Sequence, residues 1–178
     1  MRILLLTLIS SLLLATNYKD VKRDDKLVKR YVYEISHMSG VQMNNIIKVY
    51  NRFDKYNLGT TGVCILIHES KAGKYMFNPT TGDYGLLGIN LKTYMVYKGI
   101  KQNYYSNIRI ASILIKDDDI NIQASIDNIL FWKKVHKGNW IKMLGSYNGG
   151  YKPNYKYAKE LYNIAIAFRI IMRKRLEK

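Results

Sequence analysis

The segment Ile67–Asn90, IHESKAGKYMFNPTTGDYGLLGIN, decides how this chain is read. It begins where the apolar run Val63-Cys64-Ile65-Leu66-Ile67 gives way to His68, Glu69 and Ser70. Asn78-Pro79-Thr80-Thr81-Gly82 and Gly85 then break any regular period, which predicts loops and turns. A carboxyl at the end of a buried helix loses solvation, which raises its pKa. Kept protonated, it can hand a proton to a leaving oxygen. Asp83 follows in Gly82-Asp83-Tyr84-Gly85, where glycines let backbone approach a ligand closely. Asp83 is read either as a second carboxylate or as a turn residue bonded to its own backbone.

Outward from this segment the chain is helical in period. Lys19–His37 is basic and compatible with helix. Ser39 is placed to cap the next helix, with Val41, Ile46, Ile47, Val49, Tyr50 and Phe53 as its apolar face. Thr60 or Thr61 is the cap expected for the apolar helix that ends at Glu69. Leu91–Tyr97 suits a short helix, and the period of Tyr104–Lys116 does not decide its structure. Asp117, Asp118 and Asp119 suit the positive end of a helix dipole, and Lys133, Lys134 and His136 its far end. Asn139 opens a further helix that Gly149-Gly150 breaks. A long terminal helix begins near Lys156, with Leu161, Ile164, Ala165, Phe168 and Ile171 inward. Together these predict one α+β, mostly α-helical domain over residues 17–178, with an irregular or β insert at Lys71–Asn90.

The chain has 178 residues and a formal net charge of +16. Such a charge favours anionic partners. The lysines are scattered and no nucleic-acid motif accompanies them, so nucleic acid is not expected. Residues 1–16 pair Arg2 with an apolar run from Ile3 to Leu14. That is the pattern of an export signal, with an uncleaved membrane anchor or a buried helix as alternatives. The expected location is therefore the periplasm or cell envelope, with membrane association through this segment. Cys64 is the only cysteine, so no internal disulfide forms; it reads as a small buried hydrophobe.

Four blocks stand in order: His68-Glu69-Ser70; Gly82-Asp83-Tyr84-Gly85-Leu86-Leu87-Gly88-Ile89-Asn90; Asn121-Ile122; and Ser146-Tyr147-Asn148-Gly149-Gly150. Together they resemble the soluble lytic transglycosylase domain of the lysozyme-like superfamily, over about residues 60–166. The resemblance implies a lysozyme-like fold and cleavage of the bond between N-acetylmuramic acid and N-acetylglucosamine in peptidoglycan strands. It makes Glu69 the catalytic acid and then base. Ser70 and Asn121 would position the acid and the loop over it. Gly85, Leu86 and Ile89 would wall the groove, Tyr84 and Gly88 would stand with them at the substrate, and Tyr147 would reach Glu69 or the sugar. Asn148 is equally a ligand or a helix-ending residue. No metal or organic cofactor is implied. The expected partners are glycan strands and a secretion, pilus or phage-entry apparatus. Two departures stand out. Gly88 occupies the place of the family's Gln, which raises the alternative of an inactive wall-binding protein. Asp83 also resembles the second carboxylate of animal lysozymes, which raises the alternative of a hydrolase.

Overall fold

The computed structural model describes residues 21–176. The segment read as an export signal lies outside them. Eight helices and one small sheet are present among the described residues. Helix α1 is Asp25–Ser36, α2 Gly40–Asp54 and α3 Gly59–Ser70. Strands β1 (Phe77–Asn78), β2 (Asp83–Tyr84) and β3 (Ile89–Asn90) follow. Then come α4 (Leu91–Tyr97), α5 (Tyr104–Lys116), α6 (Asp118–Val135), α7 (Trp140–Gly149) and α8 (Tyr155–Leu176). The protein is thus mostly α-helical with a small antiparallel sheet, as the sequence predicts at that level.

Helix α3 is central. It packs on α2 along one side and on α8 along the other, and α8 also carries α1 and α7. Every residue of α3 from Gly59 to Ile67 is buried. The missing side chains of Gly59 and Gly62 admit the rings of Tyr50 and Phe53 from α2. The helix therefore starts earlier than a threonine cap predicts. Leu58 precedes it with no side-chain cap bond, and the Thr61 hydroxyl instead accepts from Trp140 Nε1 at 3.0 Å.

Capping sets most other helix starts. Ser39 and Gln42 form a reciprocal capping box on α2, which satisfies two otherwise open amides. Asn103 and Ser106 do the same for α5, the stretch whose period alone was undecided. Asn139 accepts from Lys142 N at the start of α7. On α2 the buried face is Ile46, Val49, Tyr50 and Phe53; Val41 and Ile47 are exposed, against the sequence expectation.

The strands run in the order β1-β2-β3, with Phe77 opposite Tyr84, Asn78 opposite Asp83, and Asp83 opposite Asn90. Such short strands would not persist alone. Ile89 joins Met95, Ile110 and Leu114 in a second small core, which fastens the sheet to α4 and α5.

Candidate active site

Helix α3 stays buried to Ile67, and then His68 and Glu69 reach partial exposure. Past Ser70 the backbone enters the left-handed region twice, at Lys71 (φ 52°) and Ala72 (φ 57°). Side chains disfavour this conformation by roughly 1–2 kcal/mol each. Helix α2 holds it in place. Gln42 Nε2 donates to the Lys71 carbonyl at 2.7 Å and Asn45 Nδ2 to the Ala72 carbonyl at 3.0 Å. Lys71 Nζ also pairs with Glu34 at 3.0 Å. Ser70 Oγ is buried, donates to Leu66 O at 3.2 Å and accepts from Gly73 N at 2.9 Å. The backbone on both sides of Glu69 is therefore fixed by hydrogen bonds.

The Glu69 side chain keeps 14% of its surface exposed, so its carboxyl is sheltered from bulk water without being sealed from it. The Tyr157 hydroxyl, from α8, donates to Glu69 Oε1 at 2.6 Å. Burial, then the charge of Glu69, pushes the Tyr157 phenol well above its ordinary pKa. It stays a proton donor in this bond throughout the physiological range. The other oxygen, Oε2, lies against Gly88, which has φ +58°. A Cβ on residue 88 would stand 2.6 Å from Oε2. The glycine found where the resemblance calls for Gln thus has a steric reason: the carboxyl fills that space.

His68 sits beside this carboxyl. Its ring meets Tyr157 edge-on, with centroids 4.6 Å apart. Nε2 lies 3.0 Å from Glu160 Oε2 and Nδ1 3.7 Å from Glu69 Oε1. Burial opposes the imidazolium, but the nearby charge of Glu69 and the hydrogen bond and charge of Glu160 outweigh it, and the His68 pKa is raised. Cys64, one turn back, is wholly buried, and burial pushes its thiol up, away from nucleophilic use.

The turn facing Glu69 is held from α6 and α7. Buried Asn121 donates Nδ2 to Tyr84 O at 2.8 Å and to Leu114 O at 3.1 Å, and its Oδ1 accepts from Leu87 N at 2.9 Å. Tyr147 donates to Leu87 O at 2.8 Å and its oxygen accepts from Ser125 Oγ at 2.8 Å. Gly85 has φ +79°, and a Cβ there would run into Leu114 O and the Asn121 amide. Leu86 and Ile89 are buried. Their side chains therefore belong to the cores beneath the turn, and a groove-wall role falls to backbone. Tyr84 stacks on Phe77 at 4.8 Å. Asn148 is exposed near the end of α7 and accepts from Asn154 Nδ2 at 2.8 Å.

Asp83 is engaged within the hairpin. The Thr81 hydroxyl donates to its Oδ2, and Asn90 Nδ2 donates to Oδ1 at 3.0 Å. Tyr147 nonetheless feels both carboxylates: burial first, then Glu69 and more weakly Asp83, push its phenol up against the Ser125 hydrogen bond. Among the described residues no cluster of His, Cys, Asp and Glu is arranged to hold a metal ion.

One sequence expectation changes here. The hydroxyl on Glu69 is that of Tyr157, and Tyr147 is committed to the turn. Tyr157, with His68 and Glu160 as the flanking pair, is what the sequence reading missed. The available signal is faint: Tyr157 precedes Leu161 by one helical turn, placing a polar-tipped ring in line with the buried stripe of α8. No protein-family model, curated protein or solved structure matches the chain.

Proposed function

We propose that the protein is an exported peptidoglycan lytic transglycosylase with a lysozyme-like fold. The observation that carries this reading is Glu69: a part-sheltered carboxyl at the end of a buried helix, with one oxygen bonded to a buried tyrosine and the other against Gly88. Glu69 donates its proton to the glycosidic oxygen, which leaves as the N-acetylglucosamine hydroxyl. The resulting carboxylate takes the proton of the muramic 6-hydroxyl. That oxygen closes on the anomeric carbon, so the product is a 1,6-anhydro sugar and no water is consumed. Tyr157 keeps the carboxyl oriented through both steps. The turn at residues 84–88, with its amides of Gly85, Leu87 and Gly88 already bonded, shapes the site beside the carboxyl. The reading also takes residues 1–16 as the export signal, and glycan strands as the partner.

Asp83 supports a second reading. It stands on β2, directly before the turn that meets Glu69, and its resemblance to the second carboxylate of animal lysozymes makes a two-carboxylate hydrolase the alternative. Digestion of purified sacculi separates the two. Anhydro-muropeptides support the transglycosylase, and products heavier by one water support the hydrolase. Glu69→Gln should bind sacculi and release nothing. Release at the parental rate by that variant refutes both enzymatic readings. A parent protein that binds sacculi without releasing product makes the chain a wall-binding protein.

A further inference from the structure

Helix α4, its loop and α5 form a face of unusual composition. Residues 91–116 carry Lys92, Lys98, Lys101, Arg109 and Lys116, and neither Asp nor Glu. The same stretch exposes Val96, Tyr97, Tyr104, Tyr105 and Ile108, with Tyr105 82% and Tyr104 73% open. These are five of the fifteen large apolar side chains that are exposed among the described residues, all between residues 96 and 108. Basic and aromatic groups interleave: Lys98 Nζ lies 5.0 Å from the Tyr97 ring centre and 5.8 Å from that of Tyr94.

The exposure is not that of a loose segment. Met95, Ile110 and Leu114 anchor the underside in the second core. The loop is closed by the Asn103–Ser106 box, with Ser106 Oγ also donating to Lys101 O at 2.8 Å. An anchored corner that still presents this much apolar surface has the form of an interaction site.

We infer that this corner docks on an anionic phospholipid surface. Three features select that partner. Lys92, Lys98, Lys101 and Arg109, with no acidic side chain among them in the sequence, meet lipid phosphates without repulsion from their own segment. Tyrosine rings, apolar in body and polar at the tip, suit headgroup depth. Val96 and Ile108 give a sugar ring neither a flat face nor a hydrogen bond, whereas both partition readily into the boundary of acyl chains. The inference does not depend on the glycan-cleaving reading. If both hold, the enzyme works on wall strands close to the membrane.

The test uses the full chain with vesicles of phosphatidylglycerol and phosphatidylcholine, vesicles of phosphatidylcholine alone, and purified sacculi. Hydrogen–deuterium exchange is read by mass spectrometry, so that contact by any other segment is seen separately. Anionic vesicles should slow exchange across residues 96–109, and most in the loop amides of residues 98–103. Neutral vesicles should not, and high salt should weaken the effect. Lys98→Gln, Lys101→Gln and Arg109→Gln together should weaken vesicle contact at this corner by about a hundredfold, since each cation near such a surface contributes about fivefold. All three side chains are exposed, so the circular dichroism spectrum should be unchanged. Unprotected 96–109 amides on bound protein overturn the inference, and so does equal protection by neutral vesicles. Protection by sacculi without protection by vesicles also overturns it, and transfers the face to glycan.

Discussion

Gly88→Ala is the sharpest probe of the site. The added Cβ would stand 2.6 Å from Glu69 Oε2, and ordinary contact begins at 3.4 Å, so the carboxyl must retreat by about 0.8 Å (3.4 less 2.6). Glu69 Cβ lies only 3.1 Å from the same point, so side-chain rotation alone gives little relief. A misplacement near 1 Å at a reacting group lowers a rate by on the order of 100-fold. The stability cost is smaller. The left-handed backbone at φ +58° penalises Ala by about 1–2 kcal/mol, or a Tm drop of roughly 2–8 °C for a chain this size. Gly138→Ala is the matched control. Its φ is +78° and a Cβ there meets nothing within 4 Å, so it should lower Tm similarly and leave cleavage intact. Gly88→Gln restores the residue that the resemblance calls for, and should be at least as damaging as Ala. The assay is the initial rate of muropeptide release from sacculi, read beside thermal unfolding followed by circular dichroism. If Gly88→Ala or Gly88→Gln cleaves as fast as the parent, the placement of the reacting carboxyl against this turn is wrong.

Three further substitutions follow from the same geometry. Tyr157→Phe removes the 2.6 Å bond to Glu69 and should slow muropeptide release by about 10- to 100-fold, in line with 1.5–3 kcal/mol for a hydrogen bond to a charged group; a parental rate would show that the bond is idle. Asn121→Ala leaves the Leu87 amide and the carbonyls of Tyr84 and Leu114 without that partner and should lower unfolding free energy by about 3 kcal/mol or more in urea titrations; a loss under 1 kcal/mol would contradict the pinning role. His68 has its folded pKa raised above the ordinary 6.5 by Glu69 and Glu160 against burial, so its protonated form stabilises the fold. That contribution is complete below about pH 6.5 and fades as pH rises through the raised folded value. Parental Tm should fall more steeply across that window than the Tm of Glu160→Gln, and equal slopes would mean that the pair is not felt.

The helices were largely legible because their signals are local. Ser39, Asn139 and the acidic start of α6 each sit within a turn of the amides they serve. Where reading failed, the deciding contact lay elsewhere in the chain. The start of α3 carries no side-chain cap bond from Leu58, and its position follows instead from the close packing of Gly59 on Tyr50 of α2. The stripe of α5 is blurred by Tyr104, Tyr105 and Ile108, which are apolar yet exposed. A rule that sends apolar residues inward misassigns such a face, and does the same for Val41 and Ile47 on α2.

The site was legible in its backbone and not in its side-chain partners. Glu69 announces itself by position, as the first carboxyl after nine buried residues of α3. Tyr157 lies 88 residues further on, and no spacing rule joins the two. Asn121 and Tyr147 carry a different lesson. Asn121 was read as a residue that positions the acid and the loop over it, and Tyr147 as one that reaches Glu69 or the sugar. In the fold Asn121 spends both amide protons and its oxygen on residues 84, 87 and 114. Tyr147 spends its proton on Leu87 and receives one from Ser125. Groups so occupied, within or close to the core, can bind sugar only by releasing the turn that the sugar would need. The regular order of these motifs is therefore explained by the shape they impose on residues 84–88, and under the proposed function the proton transfers fall to Glu69, the carboxyl that this shape confronts.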